Sequence, residues 1–266
     1  MVVFKDVKKE DVHRLKNLGM IASEPKTVYE VIRYVGKGVT AVLYTSGKLF
    51  LQGKEDAVER IAGKLKGIGE EVKKIEFRRE EGWIIGSDES IKGDTFGGLV
   101  VAGVKADDAL RAKLLELGVA DSKILKDDEI IRLAREIKRL VPCEIWSIMP
   151  EEYNKSEGLT LLLNKMHRKV AKGLGVGKHV VDKYPGCNAG DVMETKAEQK
   201  YIEVAAASIL ARAAGLEQFD YLSMQVGFDL PKGSTHVKEA LGKLREKGVD
   251  FSKFVKLHFK NVTEYL

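Results

Sequence analysis

The chain has 266 residues, more than one typical domain, which predicts two domains. It contains no apolar run of membrane-spanning length, and its polar N-terminal stretch does not resemble a signal peptide, so we expect a cytoplasmic protein without a membrane partner. The net charge is +5, and residues 1–80 carry all of this excess, with 17 Lys and Arg against 12 Asp and Glu. A basic first third is typical of a segment that docks on a polyanion.

The first 70 residues predict a small α+β domain. Their spacing predicts a helix over Lys8–Leu18, strands over Thr27–Val35, Val39–Tyr44 and Lys48–Gln52, and an amphipathic helix over Glu55–Leu65. An antiparallel meander flanked by helices leaves one sheet face for binding. The residues expected near that face are Tyr29, Arg33, Tyr34, Tyr44 and Lys48.

The charge-dense stretch 67–82 predicts a solvated linker or an exposed helix, so we place the domain boundary there. The expected domains are residues 1–70 and 83–266, with residues 71–82 as the linker. In the second domain strands alternate with helices, which favours an α/β sheet with helices on its faces. Two strands are predicted within residues 83–102, and the other predicted elements are strands Cys143–Met149 and Lys178–Asp182 and helices Asp107–Leu117, Lys126–Leu140, Gly158–Leu174, Val204–Ala214, Leu216–Met224 and Thr235–Arg245.

Four carboxylates lie where an open α/β sheet gathers its function, near the ends of strands. Asp88 and Glu89 end the first predicted strand of this domain, Asp182 closes another, and Glu198 precedes an alanine-rich helix. Because neighbouring strand residues point to opposite faces, we expect Asp88 or Glu89 to act from a bend or an edge. An ordinary capped turn is the alternative interpretation of this acidic pair.

Convergence of these four groups would place a charge of about −4 in a small volume, which requires divalent cations or protonation. Oxygen ligands without His or Cys favour Mg²⁺ or Mn²⁺, and two such ions can promote hydrolysis of a phosphodiester.

Templates for other common sites fail. Cys143 and Cys187 form no C-x-x-C pair, so no zinc site is indicated and free thiols are expected. Residues 173–178 are similar to a phosphate-binding loop, but Lys172 replaces the first glycine and His179 the Ser or Thr that the loop requires.

Residues 86–97, which read GSDESIKGDTFG, resemble the signature of type 2 ribonucleases H, in the form found in ribonuclease HIII. Further motifs resemble the same family in the expected order along the chain. They are GVADSK at 118–123, Tyr153 and Asn154 followed by Asn164 and His167, VVD at 180–182, TKAE at 195–198, VAAASILAR at 204–212 and KLHFK at 256–260.

The resemblance implies a ribonuclease H-like fold, a mixed sheet flanked by helices, preceded by a small domain similar to the TATA-box-binding protein. It implies hydrolysis of the RNA strand of RNA/DNA hybrids to 5′-phosphate and 3′-hydroxyl ends by a two-metal mechanism with Mg²⁺ or Mn²⁺, in DNA replication and repair, and we expect a monomer. Carried over by position, the resemblance implies Asp88, Glu89 and Asp182 as metal ligands, with Glu198 as the fourth acidic group. It also implies that Lys92 and Gly93 contact the scissile region. Contacts to the nucleic-acid backbone are implied for Ser122, Lys123 and Lys196.

Two alternatives stay open. One is incision at a single ribonucleotide embedded in DNA, as in ribonuclease HII, and the other is a non-catalytic nucleic-acid-binding protein. The chain also departs from the family pattern at Ile91, where Gly is usual and a β-branched residue restricts the loop, and at Gly98, where Pro is common and a looser turn is expected.

Overall fold

A computed structural model describes residues 2–25, 30–45, 47–65, 67–72, 77–119 and 125–266. The chain divides into two compact units, Met1–Lys74 and Ile75–Leu266, and this division falls inside the stretch expected to be a linker. Three candidate binding residues, Tyr29, Ser122 and Lys123, lie outside the described residues, as does the start of the predicted strand Thr27–Val35.

In its described part the N-terminal unit contains a six-stranded antiparallel sheet with the strand order β2-β3-β4-β5-β1-β6. The predicted meander is present as β3, β4 and β5, but three further strands flank it. The elements are β1 (Val2–Lys5), α1 (Lys9–Val12), α2 (Arg14–Asn17), β2 (Ile21–Ser23), β3 (Glu30–Gly36), β4 (Val39–Tyr44), β5 (Leu49–Gly53), α3 (Glu55–Lys64) and β6 (Glu70–Val72).

Several predictions for this unit were wrong. The single helix expected over Lys8–Leu18 is two one-turn helices that meet at His13. Glu70–Val72, expected in a linker or helix, forms β6 because it pairs with β1. Tyr34, expected near an open face, is 1% exposed in the core and its hydroxyl lies 3.1 Å from Nδ1 of His13.

Two other residues predicted for the binding face, Arg33 and Tyr44, lie on the face opposite to Tyr34, where the Arg33 guanidinium donates to the Glu30 carboxylate at 2.9 and 2.7 Å. Arg33 pairs across the strands with Val42, which in turn pairs with Phe50. The ring of Phe50 meets that of Tyr44 edge to face at 5.3 Å. This face of the sheet therefore presents an arginine and two aromatic rings.

The second unit is built on a five-stranded mixed sheet with the order β11-β10-β7-β8-β9, in which β7 is the central strand. Strand β7 runs parallel to β10 and antiparallel to β8. The elements of the second unit are β7 (Ile84–Ser90), β8 (Leu99–Ala106), α4 (Asp108–Leu117), α5 (Asp127–Leu140), β9 (Cys143–Ile148), α6 (Pro150–Asn154), α7 (Leu159–Leu174), β10 (Lys178–Asp182), β11 (Val192–Glu194), α8 (Ile202–Val226), α9 (Lys238–Glu246) and α10 (Lys260–Thr263), with 3₁₀ turns at Ala197–Gln199 and Phe251–Lys253.

Alternation along β8 divides the core of this unit into two sides. Val100 and Ala102 belong to the cluster packed around α8, whereas Leu99 and Val101 belong to the cluster packed around α7. Helices α7 and α8 therefore cover opposite faces of the sheet, which is the predicted α/β arrangement.

The two helices expected over 204–214 and 216–224 are one continuous helix, α8. Gly215, which a sequence reading treats as a break, instead makes room for the loop that follows β7. A Cβ at Gly215 would lie 3.0 Å from Cγ2 of Ile91 and 3.2 Å from Oγ of Ser90.

No helix in the described part of the chain has both the length and the apolar character needed to cross a membrane. Cys143 and Cys187 are free thiols, as expected, and burial raises the pKa of Cys143.

Candidate active site

The parallel pairing of β7 and β10 brings two of the predicted carboxylates together. Val181 pairs with Ser87, so the next residues on the two strands, Asp182 and Asp88, are neighbours at the carboxyl end of β10. Their proximity has an electrostatic consequence, because the Asp182 carboxylate raises the pKa of Asp88. Residues that are distant in the sequence thus meet through strand register.

Asp88 is 8% exposed and lies on the α8 face of the sheet. Burial raises its pKa well above the usual value, and the carboxylates of Glu89 and Asp182 raise it further. A hydrogen bond with Ser208 of α8 and the backbone N–H of Glu89, which donates to Oδ1 at 2.8 Å, oppose this shift. The ionised form of Asp88 is therefore disfavoured until a cation neutralises it.

Glu89 lies on the opposite face, towards α7. Its Oε1 accepts a hydrogen bond from the Lys92 ammonium, and its Oε2 lies 3.4 Å from Nε2 of His167. Burial would raise the pKa of Glu89, but His167 and Lys92 outweigh burial and lower it.

The bend or edge expected at this acidic pair is absent from the structure. Strand β7 pairs regularly with β8 from Ile84 opposite Ala106 to Ser90 opposite Val100. The prediction was wrong because the two side chains meet different partners on the two faces of one regular strand.

A buried hydrogen-bond chain that we did not predict supports the Glu89 side. Oγ of Ser87 lies 2.7 Å from Nδ1 of His167 and 2.7 Å from Nε2 of His179. Nδ1 of His179 lies 3.1 Å from the carbonyl oxygen of Ala189, which can only accept, so Nε2 of His179 accepts from the Ser87 hydroxyl. Ser87 then accepts from Nδ1–H of His167, which turns Nε2 of His167 towards Glu89.

The same burial disfavours protonation of His179. Burial, with a smaller contribution from His167, lowers the pKa of His179 to about 4. The sequence does contain a signal for this hydrogen-bond network. Ser87 and Glu89 are two residues apart, so their side chains share one face of the strand.

Glu198 is 1% exposed in the 3₁₀ turn Ala197–Gln199. The backbone N–H of Ala197 donates to Oδ1 of Asp182 at 2.9 Å, which fastens this turn beside Asp182. Lys196, which precedes the turn, is exposed and has a left-handed backbone with φ of 56°. Among the described residues, no three Asp, Glu, His or Cys side chains are grouped closely enough to hold one ion.

The loop after β7 adopts the conformation that glycine would favour, although Ile91 stands there. Ile91 has a φ of 57°, and its side chain is buried against α8. Lys92 follows, and at Gly93 a Cβ would meet no atom within 4 Å, so the backbone there faces open space.

The looser turn expected at Gly98 was also wrong. Its N–H, which proline would lack, donates to Oε1 of Gln218 at 3.0 Å. A Cβ there would come within 2.1 Å of the Ile148 carbonyl oxygen, so glycine allows a close approach of two backbone segments.

Comparison with known proteins gives consistent matches. The model of the Ribonuclease HII family matches residues 85–262. Ribonuclease HIII of Enterococcus faecalis is 31% identical, covering 89% of this chain and 88% of that protein. Ribonuclease HIII of Protochlamydia amoebophila is 35% identical, covering 86% of this chain and 84% of that protein.

Two solved structures are similar along nearly their whole length. The crystal structure of Bst-RNase HIII in complex with Mn²⁺ has a TM-score of 0.62 and 28% identity, covering 100% of this chain and 98% of that one. The crystal structure of Aquifex aeolicus RNase H3 has a TM-score of 0.58 and 29% identity, covering 97% of this chain and 100% of that one.

Proposed function

The chain belongs to the ribonuclease HII family, on its ribonuclease HIII branch, and from this premise we propose that it hydrolyses the RNA strand of RNA/DNA hybrids with two divalent metal ions. Membership confirms the resemblance seen in the motifs, and with it the ribonuclease H endonuclease class and the mixed sheet flanked by helices. We further propose 5′-phosphate and 3′-hydroxyl product ends. The similarity of the N-terminal unit to the TATA-box-binding protein stays a prediction.

The observation that carries this proposal is the juxtaposition of Asp88 and Asp182 through the register of β7 and β10. Asp88 and Asp182 supply carboxylate oxygens of the kind a divalent ion takes, and a cation would relieve the burial and carboxylate repulsion that raise the pKa of Asp88. A third described ligand would have to move closer to complete the site. Carboxylate oxygens select Mg²⁺ or Mn²⁺, and the similar Bst-RNase HIII was crystallised with Mn²⁺.

In the proposed site Asp88, Glu89 and Asp182 would hold the ions, and Glu198 would position the second ion or the attacking water. Ions of this kind supply an activated water and stabilise the leaving oxygen. Glu89 would exchange its Lys92 partner for an ion, and the ammonium of Lys92 would then be available to a substrate phosphate. The chain of Ser87 and His179 would keep His167 oriented against Glu89 during this exchange.

Substrate recognition would use the open backbone at Gly93 together with Lys92, and Lys196 for the nucleic-acid backbone. Ser122 and Lys123 are proposed for the same role and lie outside the described residues. A contact with the 2′-hydroxyl would distinguish RNA from DNA. The basic N-terminal unit would add phosphate affinity that falls as salt rises, and we propose that the protein acts as a cytoplasmic monomer in DNA replication and repair.

A cleavage assay on two substrates tests the proposal. A uniform RNA/DNA hybrid should be cut at several sites in its RNA strand with Mg²⁺ or Mn²⁺ and not with a chelator, to give 5′-phosphate ends. Robust cutting at a lone ribonucleotide in duplex DNA would favour the ribonuclease HII-like alternative. Binding of the hybrid without metal-dependent cutting of either substrate would favour the non-catalytic alternative.

A further inference from the structure

Lys256 is a fully buried lysine that the catalytic assignment does not use. Its side chain has 0% exposure, yet its ammonium is satisfied on every side. Nζ donates to the carbonyl oxygens of Ile91, Asp94 and Gly97 at 2.9, 2.6 and 3.0 Å. The rings of Tyr153 and Phe259 lie 5.3 and 5.5 Å from it.

All three carbonyl groups belong to the loop that follows β7 and carries Lys92 and Gly93. Backbone contacts join the same two segments, since the N–H of Lys256 donates to the Thr95 carbonyl oxygen and the N–H of Gly97 donates to the Phe254 carbonyl oxygen, both at 3.0 Å. The segment that holds Lys256 is therefore bonded along its length to this loop.

Asn154 of α6 fixes the other side of the Lys256 segment. Its Nδ2 donates to the carbonyl oxygens of Ser252 and Val255 at 3.1 and 2.8 Å, and its Oδ1 accepts from the N–H of Leu257 at 3.0 Å. A continuous line of hydrogen bonds thus runs from α6 through Lys256 to the loop beside the candidate metal ligands.

We propose that Lys256 is a positioning residue, whose ammonium fixes the loop from Ile91 to Gly97 so that Lys92 and Gly93 reach the scissile phosphate. The role in catalysis rests on the proposed function, whereas the role in loop order does not. An ammonium has three N–H donors, one for each carbonyl group, and a neutral amine has two. If the Lys256 ammonium lost one proton, one of the carbonyl groups of Ile91, Asp94 and Gly97 would lose its donor. Ile91 is the residue with a left-handed backbone among these three that is not glycine.

The protonation of Lys256 is accessible near neutral pH. Burial lowers its pKa to about 7, and the Asp94 carboxylate opposes this shift. The other titratable groups that face it among the described residues are Tyr153 and His258. Burial raises the pKa of Tyr153 to about 12 and lowers that of His258, so both stay neutral above pH 7.

Substitution separates positioning from bulk stability. Lys256→Met keeps the length of the side chain and removes the donors, and we expect kcat on the hybrid to fall about 10- to 100-fold with KM changed less than about twofold. Lys253→Met, at an exposed lysine of the same segment, is the matched control and should leave kcat unchanged. A lowered melting temperature with unchanged kcat would overturn the proposal.

A double-mutant cycle tests whether Lys256 acts through the loop. Lys92→Met should reduce kcat less in the Lys256→Met background than in the wild type, because the loop is already displaced. Losses that simply multiply would show that the two residues act independently and would contradict the proposal.

The wild-type protein provides the decisive measurement without any substitution. The amide of Thr95 donates to the carbonyl oxygen of Gly233 and that of Gly97 to the carbonyl oxygen of Phe254, both at 3.0 Å. Cys187, whose amide donates to the Tyr184 carbonyl oxygen at 3.0 Å, serves as the reference in another loop. After correction for intrinsic exchange, protection of Thr95 and Gly97 should fall at least about tenfold between about pH 7 and about pH 9, while that of Cys187 stays constant. Equal pH dependence at all three amides would overturn the proposal, and this outcome is independent of whether the protein cleaves hybrids.

Discussion

The environments on the two faces of strand β7 shift the pKa values of two adjacent carboxylates, Asp88 and Glu89, in opposite directions. On the α8 face, burial and two other carboxylates raise the pKa of Asp88. On the α7 face, His167 and Lys92 lower the pKa of Glu89 in spite of its burial. One regular strand thus carries an acid whose charge needs a cation and an acid whose charge is already stabilised by Lys92 and His167.

This difference means that the two proposed metal ligands would meet an ion from different starting points. Asp88 would gain by binding a divalent ion, because the ion removes the repulsion from Glu89 and Asp182. Glu89 would have to give up Lys92 first.

The largest effect is expected for Asp88→Asn. The variant should lose activity on the hybrid about 1,000-fold or more, because the proposed central ion ligand is removed. In the presence of a chelator it should melt at a higher temperature than the wild type, since a repelled buried charge is gone. Steady-state cleavage and thermal unfolding measure the two effects, and a lower melting temperature would contradict the asymmetry.

Glu89→Gln should show the opposite change in stability. Activity should fall about 100-fold, and the chelated protein should lose about 1–2 kcal/mol of unfolding free energy, because the partly exposed Lys92 and the buried His167 lose their anion. Glu151→Gln, which removes a fully exposed pair with Lys155, is the control and should change neither quantity. An unchanged melting temperature for Glu89→Gln would show that Lys92 and His167 do not stabilise the Glu89 carboxylate.

Low pH should destabilise the folded protein mainly through His179, on the α7 face of the sheet. The pKa of His179 is about 4 in the folded protein against 6.5 in the ordinary case, so between these values the unfolded chain binds a proton that the folded chain does not. Stability should therefore fall as pH falls from 6.5 to 4, by about 3 kcal/mol from this residue.

The raised pKa of Asp88 opposes the acid effect of His179, because protonation of Asp88 favours the folded state. Urea unfolding with a chelator should show a shallower pH dependence for His179→Gln than for the wild type. Parallel curves for the two proteins would assign the acid sensitivity elsewhere.

The smallest effect on stability is expected at Gly93, in the loop that follows β7. Gly93→Ala should change the unfolding free energy by less than about 0.5 kcal/mol, because a Cβ there meets no atom within 4 Å, and should lower activity about tenfold by obstructing the nucleic acid. Gly86→Ala is the contrasting variant, since its Cβ would lie 2.3 Å from the backbone nitrogen of Val204, and it should destabilise the α8 face. Wild-type activity in Gly93→Ala would exclude a close approach of substrate at this position.

Much of the fold could be predicted because its signals are local. Strands β7 and β10 and helices α5 and α7 follow from apolar spacing and nearby breaks, and each lies within a few residues of its predicted bounds. Strands β1 and β6 could not be predicted in this way, because each has four residues or fewer and exists through pairing with a distant partner. Gly215 was misjudged for a related reason, since Ile91, which lies far away in the chain, determines why a small residue is needed there.

The sequence by itself determined the family and the order of the main elements, because these depend on motifs and periodicities read over short stretches. The tertiary structure alone decided which face each carboxylate occupies, how Ser87 joins two histidines, and that Lys256 lies in a cage of carbonyl groups about 160 residues earlier in the chain. The physical reason is that charge stabilisation and hydrogen bonding depend on distance in space and on burial, and spacing along the chain specifies neither for residues so far apart.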